Sequence, residues 1–228
     1  MFRNLIFDWS GTLVDDLGPV IEATNVVLAI YSLPPFERDA FRRQFRLPYR
    51  EFYHELLPHV PLEELEAHFR TAFDAALAPV TVLPHAREKL AWCRARGVRT
   101  FVLTSMDSIA FARQLVELGL HECFEATYSG VADKRQRIHA ILQTHGLDPA
   151  HTAMVGDMTH DMDTARHGGI AAIAVLTGYN PPEILAAVHP DLTVANLGAL
   201  QILLEETLHR EPSAPCSHPT RLKSAACA

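Results

Sequence analysis

Residues 5–16 read LIFDWSGTLVDD: three apolar side chains, then the carboxylate of Asp8, then a turn at Gly11-Thr12. Leu5-Ile6-Phe7 is a short apolar run and reads as a buried strand. Asp8 sits where that strand ends, and glycine followed by a hydroxyl residue suits a chain turning away from a sheet. Two places after the aspartate stands Ser10, so any chemistry that needs a second carboxylate at that spacing must find it elsewhere.

Working outward, Pro19 suits the first turn of a helix, and Val20, Ala23, Val27 and Tyr31 then recur at helical spacing. Residues 36–78 carry further helical patterns broken by Pro48, Pro58 and Pro61, and no alternating run appears between 17 and 82. That stretch is expected to be all-helical. From Pro84 the character changes. Helices are expected over 85–96, 108–118 and 135–145. Strands are expected at Val98–Leu103, near 125–128, at Thr152–Val155 and at Ile170–Leu176. Gly97 and Gly146 are placed to end helices. Continuous apolar strands alternating with helices imply a parallel sheet buried on both faces.

The expected architecture is α/β: a Rossmann-like parallel sheet with helices on both faces plus an inserted all-helical cap. Residues 1–16 and 83–210 would form the core and 17–82 the cap. Residues 211–228, with Pro212, Pro215 and Pro219 among serines and alanines, read as a flexible tail.

Composition bounds the function. The chain has 228 residues, 48% of them apolar and 21% charged, as in an ordinary globular protein. A net charge of −7 argues against a nucleic-acid binder, which needs a basic face. No stretch approaches the roughly 20 apolar residues that span a bilayer. The four cysteines, Cys93, Cys123, Cys216 and Cys227, lack metal-site or disulfide-framework spacing and read as reduced thiols. A soluble cytoplasmic protein is expected, without membrane or nucleic-acid partners, as a monomer or homodimer.

Ligands of an open parallel sheet bind beyond the carboxyl ends of its strands. Asp8, Thr104, Asp157 and, a few residues past its strand, Lys134 fall at such ends, and Asp161 lies one helical turn beyond Asp157. Taken singly, each has a plainer reading: Asp8-x-x-Gly11-Thr12 as a turn, Thr104 as a helix cap, Lys134 as a solvated charge, Asp157 and Asp161 as acids at a helix start. Together they would place three carboxylates, a hydroxyl and an ammonium at one spot. Carboxylates so clustered repel unless a cation lies between them, and an all-oxygen set suits Mg²⁺ with phosphate oxygens and water.

D-x-x-G-T (Asp8, Gly11, Thr12), Thr104, Lys134 and G-D-x-x-x-D (Gly156, Asp157, Asp161) occur in the order of the four motifs of the haloacid dehalogenase superfamily. The helical insertion between the first two resembles the cap of its phosphoglycolate phosphatase-like members. The resemblance implies an Mg²⁺-dependent hydrolase of a small phosphorylated metabolite. Asp8 would be nucleophile and metal ligand, Ser10 a metal ligand through its backbone carbonyl, and Asp157 and Asp161 further ligands. Thr104 and Lys134 would hold the phosphoryl group, with Thr12 and Ser105 as further substrate contacts.

Most phosphatases of this superfamily carry Asp where this chain has Ser10, as proton donor to the leaving oxygen. Such help is worth about 10² to 10⁴ in rate. Four readings follow. A selective phosphatase could relay through Ser10 or recruit Asp15, Asp16 or His160, and esters needing little protonation would suffer least. A phosphonoacetaldehyde hydrolase has a first motif resembling Asp8-Trp9-Ser10-Gly11-Thr12, but its chemistry needs a cap lysine and residues 15–84 contain none. A haloacid dehalogenase proper uses no metal, which leaves Asp157 and Asp161 unexplained. A phospho-ligand-binding regulator would have kept the pocket and lost turnover.

In the cap, Arg38, Arg42, Arg43, Arg46 and Arg50 read as a solvated helix face, or as a source of one arginine for a substrate carboxylate. The rigid turn Phe45–Arg50 points to Arg46 or Arg50 and to a small acidic phosphoester. Trp9 is expected to line the pocket or pack beneath the cap. His54, His59 and His85 read as surface residues rather than active-site acids, and His160 and His167 flank the acidic motif without zinc-site spacing.

Overall fold

The structure, a computed structural model, describes residues 2–210. The tail expected over 211–228 lies outside them. In chain order the elements are β1 (Asn4–Phe7), β2 (Val14–Asp15), α1 (Leu17–Ile30), α2 (Arg38–Gln44), α3 (Tyr49–Leu56), α4 (Leu62–Asp74), β3 (Thr81–Val82) and α5 (Ala86–Ala95). There follow β4 (Arg99–Leu103), α6 (Ser108–Glu117), β5 (Ala126–Tyr128), a short 3₁₀ turn at Lys134–Gln136, α7 (Ile138–His145) and β6 (Thr152–Gly156). The chain continues through α8 (Thr159–His167), β7 (Ala171–Val175), α9 (Pro182–Ala187), β8 (Leu192–Val194) and α10 (Leu197–Arg210).

Six strands form one sheet in the order β5-β4-β1-β6-β7-β8, every pairing parallel. The period-2 alternation of strand side chains sorts them onto two buried faces. Leu5, Phe7, Val102, Val155 and Ile173 pack with Leu90 of α5, Phe111 of α6 and Leu200 of α10. Ile6, Phe101, Leu103, Met154 and Ala174 pack on the opposite side with Ile141 of α7, Met162 of α8 and Leu185 of α9. Burial on both faces explains why these strands read as unbroken apolar runs.

Helices α1 to α4 build a third core from Leu17, Val27, Phe41, Phe52, Tyr53 and Leu65, closed from the sheet side by Met158 and Tyr179. The insertion is therefore helical, with one exception to the all-helical expectation for 17–82. Thr81 and Val82 pair antiparallel with Asp15 and Val14, forming a two-stranded ribbon where the chain leaves and re-enters the sheet layer. Two-residue strands are too short to show alternation. Among the described residues no helix is long and apolar enough to cross a membrane.

Phe101 is fully buried at the centre of the second face. Replacing it with alanine removes a ring from a close-packed layer, and Phe101→Ala is expected to destabilise the fold by about 3–5 kcal/mol. Denaturant unfolding of both proteins measures that loss as a lower midpoint.

Candidate active site

The strand order puts β1 at the centre, between β4 and β6, so that Asp8, Thr104 and Asp157 follow three adjacent strand ends. The 3₁₀ turn after β5 brings Lys134 in from the side, and the first turn of α8 adds Asp161. One oxygen from each of Asp8, Asp157 and Asp161 lies within 4.8 Å of the others, and all three residues are buried. Lys134 is fully buried too. Its Nζ donates to Asp8 Oδ1 at 2.6 Å and to Asp161 Oδ1 at 2.7 Å.

Each carboxylate is fixed by groups that leave part of it free. Asp157 Oδ1 accepts from Thr12 Oγ1 at 2.8 Å and its Oδ2 from the Tyr179 backbone N–H at 2.7 Å. Asp161 Oδ2 accepts from the Met158 N–H at 3.1 Å, closing the first turn of α8. The packing around them leaves no room for side chains. A Cβ on Gly11, whose φ is +76°, would stand 2.5 Å from Asp157 Oδ2, and one on Gly156 would stand 2.3 Å from Asp161 Oδ2. Gly11 meets both the left-handed backbone and the close approach, which explains why the turn after Asp8 needs glycine.

Burial pushes the Asp8 carboxyl up to about 7; Lys134 pulls it down and Asp161 pushes it up. Asp157 is raised well above the usual carboxylate range by burial, with Asp8 and Asp161 adding to it. Burial alone would depress Lys134, but Asp161 and Asp8 outweigh it and hold the ammonium charged. With all three carboxyls ionised, one ammonium would leave two negative charges without a partner in a buried site, which is why Asp8 and Asp157 are pushed up. A divalent cation supplies that balance, and an all-oxygen donor set suits Mg²⁺. The residues present therefore fit the metal.

Ser10 and its surroundings answer the question of the second carboxylate in part. Ser10 Oγ donates to Asp16 Oδ2 at 2.6 Å, and Tyr179 Oη donates to Asp16 Oδ1 at 2.9 Å. Asp16 is buried, which raises its carboxyl to about 6 although both hydrogen bonds pull it down. Of the other candidate substitutes, Asp15 is exposed on β2. His160 is a structural acceptor: its Nε2 takes the Lys134 backbone N–H at 3.1 Å, and burial, reinforced by Lys134, lowers its pKa.

Asp8, Ser10, Thr104, Ser105 and Asp16 open onto a cavity of about 680 Å³ between the sheet and the helical insertion. Other expected contacts lie elsewhere. Thr12 is fully buried beneath Asp157 and does not line this cavity. Arg46 pairs with Glu55 and lines a separate cleft, and Arg50 lines neither. Trp9 does not line the cavity; it is buried in the core against α6, where its Nε1 donates to Gln114 Oε1 at 2.9 Å and its ring meets Phe111 edge-on. Sequence reasoning missed the loop after β7. There Tyr179 holds Asp157 and Asp16, and Asn180 Oδ1 takes the Thr159 N–H at 2.9 Å. The rule that strand ends carry the site, applied to the end of Ile170–Leu176, points to it.

The haloacid dehalogenase-like hydrolase family matches residues 5–175, and the chain belongs to it. A Dickeya dadantii protein named "Probable phosphatase IndB" is 31% identical over 219 residues, covering 88% of this chain and 94% of that one. A phosphoglycolate phosphatase of Synechococcus elongatus is 28% identical over 193 residues, covering 83% and 91%. A haloacid dehalogenase-like hydrolase structure from Streptococcus pneumoniae superposes with a TM-score of 0.78 at 22% identity, covering 90% of this chain and 98% of that one.

Protons on Asp8 and Asp157 must leave before a cation can bind, so affinity should rise with pH. With Asp8 near 7, titration of Mg²⁺ by calorimetry should show affinity falling at least about tenfold from pH 7.5 to pH 6, with proton release that scales with buffer ionisation enthalpy. An affinity flat over that range would contradict the raised carboxyls.

Proposed function

We propose that the chain is an Mg²⁺-dependent phosphate monoester hydrolase that works through an aspartyl-phosphate on Asp8. The observation that carries this reading is the buried Lys134 bridging Asp8 and Asp161, with Asp157 beside them, next to a cavity that Asp8 itself lines. Its relatives are named as phosphatases, phosphoglycolate phosphatase among them, which supports a small phosphorylated metabolite as substrate.

Asp8, Asp157 and Asp161 would hold the metal, joined by the Ser10 backbone carbonyl. The cation would neutralise phosphate oxygens. Lys134 favours the ionised form of Asp8 against burial and orients it through Oδ1, leaving Oδ2 to attack phosphorus. A bond from Asp8 to phosphorus forms as the bond to the leaving oxygen breaks. Water then cleaves the acyl phosphate, releasing inorganic phosphate and restoring the carboxylate. Thr104, buried at the end of β4 and lining the cavity, and Ser105 beside it are the hydroxyls that hold the transferring group. Closure of the helical insertion would exclude water from the first step.

The leaving oxygen has no carboxylic acid at position 10. The Ser10 proton is directed to Asp16, whose other oxygen is taken by Tyr179. This geometry favours a selective phosphatase over one with broad activity on alkyl esters. It does not favour a binding protein without turnover, since nucleophile, ammonium and metal carboxylates are all assembled. Carbon–phosphorus cleavage has no support, because the cavity is lined by no lysine.

Phosphate release from p-nitrophenyl phosphate with Mg²⁺ tests the reading. Asp8→Asn is expected to lower the rate by about 10³ or more while the protein remains folded by circular dichroism at the assay temperature, and chelation should abolish wild-type turnover. Hydrolysis that survives Asp8→Asn would sink the nucleophile assignment. Ser10→Asp is expected to raise kcat on an alkyl ester such as glycerol phosphate by about 10-fold or more, within the range that general acid catalysis supplies. An unchanged kcat would mean that another group already moves the proton.

A further inference from the structure

We propose that the substrate is the phosphate monoester of a bulky aryl alcohol, a phenol or naphthol in chemical class, whose rings fill the cavity above Asp8. The proposal rests on the phosphatase reading above and narrows its substrate. Two independent features converge on it: the chemistry of the cavity walls, and the absence of an acid at position 10.

The cavity has a polar floor and an apolar body. Asp8, Thr104 and Ser105 lie at the phosphoryl end. Above them the insertion contributes Phe45, Tyr53, Phe69 and Phe73, and the segment after β4 contributes Met106 and Ile109. At about 680 Å³ it falls within the range of about 300–1,000 Å³ that binds drug-sized ligands. Its tyrosines offer ring surface more than donors. Tyr49 Oη donates to Glu66 at 2.7 Å, Tyr179 Oη to Asp16 at 2.9 Å, and the Tyr53 hydroxyl is hydrogen-bonded with Thr24.

Its cations are already paired. Among the described residues, Arg70 and Arg113 are the lysine or arginine side chains that line the cavity. Arg113 donates to Asp74 at 2.5 Å, and Arg70 lies 3.8 Å from Glu66. A small acidic ester such as phosphoglycolate would place its carboxylate among aromatic walls whose two bordering cations are half-exposed and already face carboxylates, which disfavours binding. Aromatic walls instead favour a flat apolar group through area and edge-to-face contacts.

Leaving-group chemistry points the same way. A phenol ionises near pH 10, as the tyrosine side chain does, far below an alkyl alcohol. When the phosphorus–oxygen bond breaks, a phenolate can depart with the electron pair and take its proton from water afterwards. An alkoxide requires that proton in the transition state, and here the Ser10 hydroxyl already donates to Asp16. The same site that handicaps alkyl esters leaves aryl esters nearly untouched.

The test compares 1-naphthyl phosphate, 2-phosphoglycolate and acetyl phosphate with the full chain and Mg²⁺. In turnover, kcat/KM for 1-naphthyl phosphate is expected to exceed that for 2-phosphoglycolate by about 100-fold. In calorimetry, the Asp8→Asn protein is expected to bind 1-naphthyl phosphate about tenfold or more tighter than 2-phosphoglycolate, and Phe69→Ala in that background should shrink the preference. Phosphoglycolate binding as tightly, or turning over as well, would overturn the aryl assignment with the phosphatase reading intact. If none of the three is hydrolysed, the phosphatase reading falls. The calorimetric preference, which needs no turnover and no cavity variant, then still decides the ligand class.

Discussion

A fully buried ammonium held between two buried carboxylates is the constraint on which the rest depends. Lys134 joins the end of β1, through Asp8, to the first turn of α8, through Asp161. In a low-dielectric interior none of these charges is tolerable alone, and removing one partner of such a set typically costs about 3–5 kcal/mol. The 3₁₀ turn carrying Lys134 is therefore pinned to the sheet by electrostatics as well as by packing, and its backbone N–H is tied down separately by His160. Segments 126 and 27 residues from Lys134 in sequence are held at one point by a group that also lowers the pKa of Asp8.

Steric fit narrows the arrangement further. Gly11 and Gly156 leave room for carboxylates that any side chain would displace, and a Cβ on Gly178 would stand 2.0 Å from Asp157 Oδ2. Asp157 is thus enclosed by the turn after β1 and the loop after β7, with Thr12 and the Tyr179 N–H satisfying its oxygens. The carboxylates proposed to hold a metal are oriented by the fold itself. What remains uncompensated is charge, and that is the property a divalent ion would supply.

The sheet was legible because its strands are buried on both faces. Ile170–Leu176 and Val98–Leu103 show as apolar runs, and their ends mark the residues that gather in space. The motif residues Asp8, Thr104, Lys134, Asp157 and Asp161 could be placed from spacing and resemblance together. The ribbon of β2 and β3 was not legible, since two residues per strand carry no period, and neither was β8, a three-residue edge strand with one exposed side chain. The insertion was the harder case. Its helices could be read from spacing, but which arginine faces the sheet depends on how the helices rotate against each other. Arg46 is drawn to Glu55, and Arg113 of the sheet layer, paired with Asp74, borders the cavity instead. Charge counts in sequence do not record which cations are already matched.

The pairing of Ser10 with Asp16 ties chemistry to architecture. Asp16 immediately precedes α1, the first helix above the sheet, and its carboxylate links Ser10 on one side with Tyr179 on the other. A carboxylate at position 10 would face Asp16 across the distance now bridged by a single hydroxyl proton, and two buried anions so close would repel. Serine relieves that repulsion and fastens the start of the insertion to the nucleophile turn. In the proposed reaction the same serine would leave the departing oxygen without a carboxylic acid at position 10. On the proposed mechanism this would leave a nucleophile with strong electrostatic support and weak acid catalysis, a combination that would discriminate among esters by how much protonation they require. In such a site the apolar wall and the missing acid select for the same kind of leaving group.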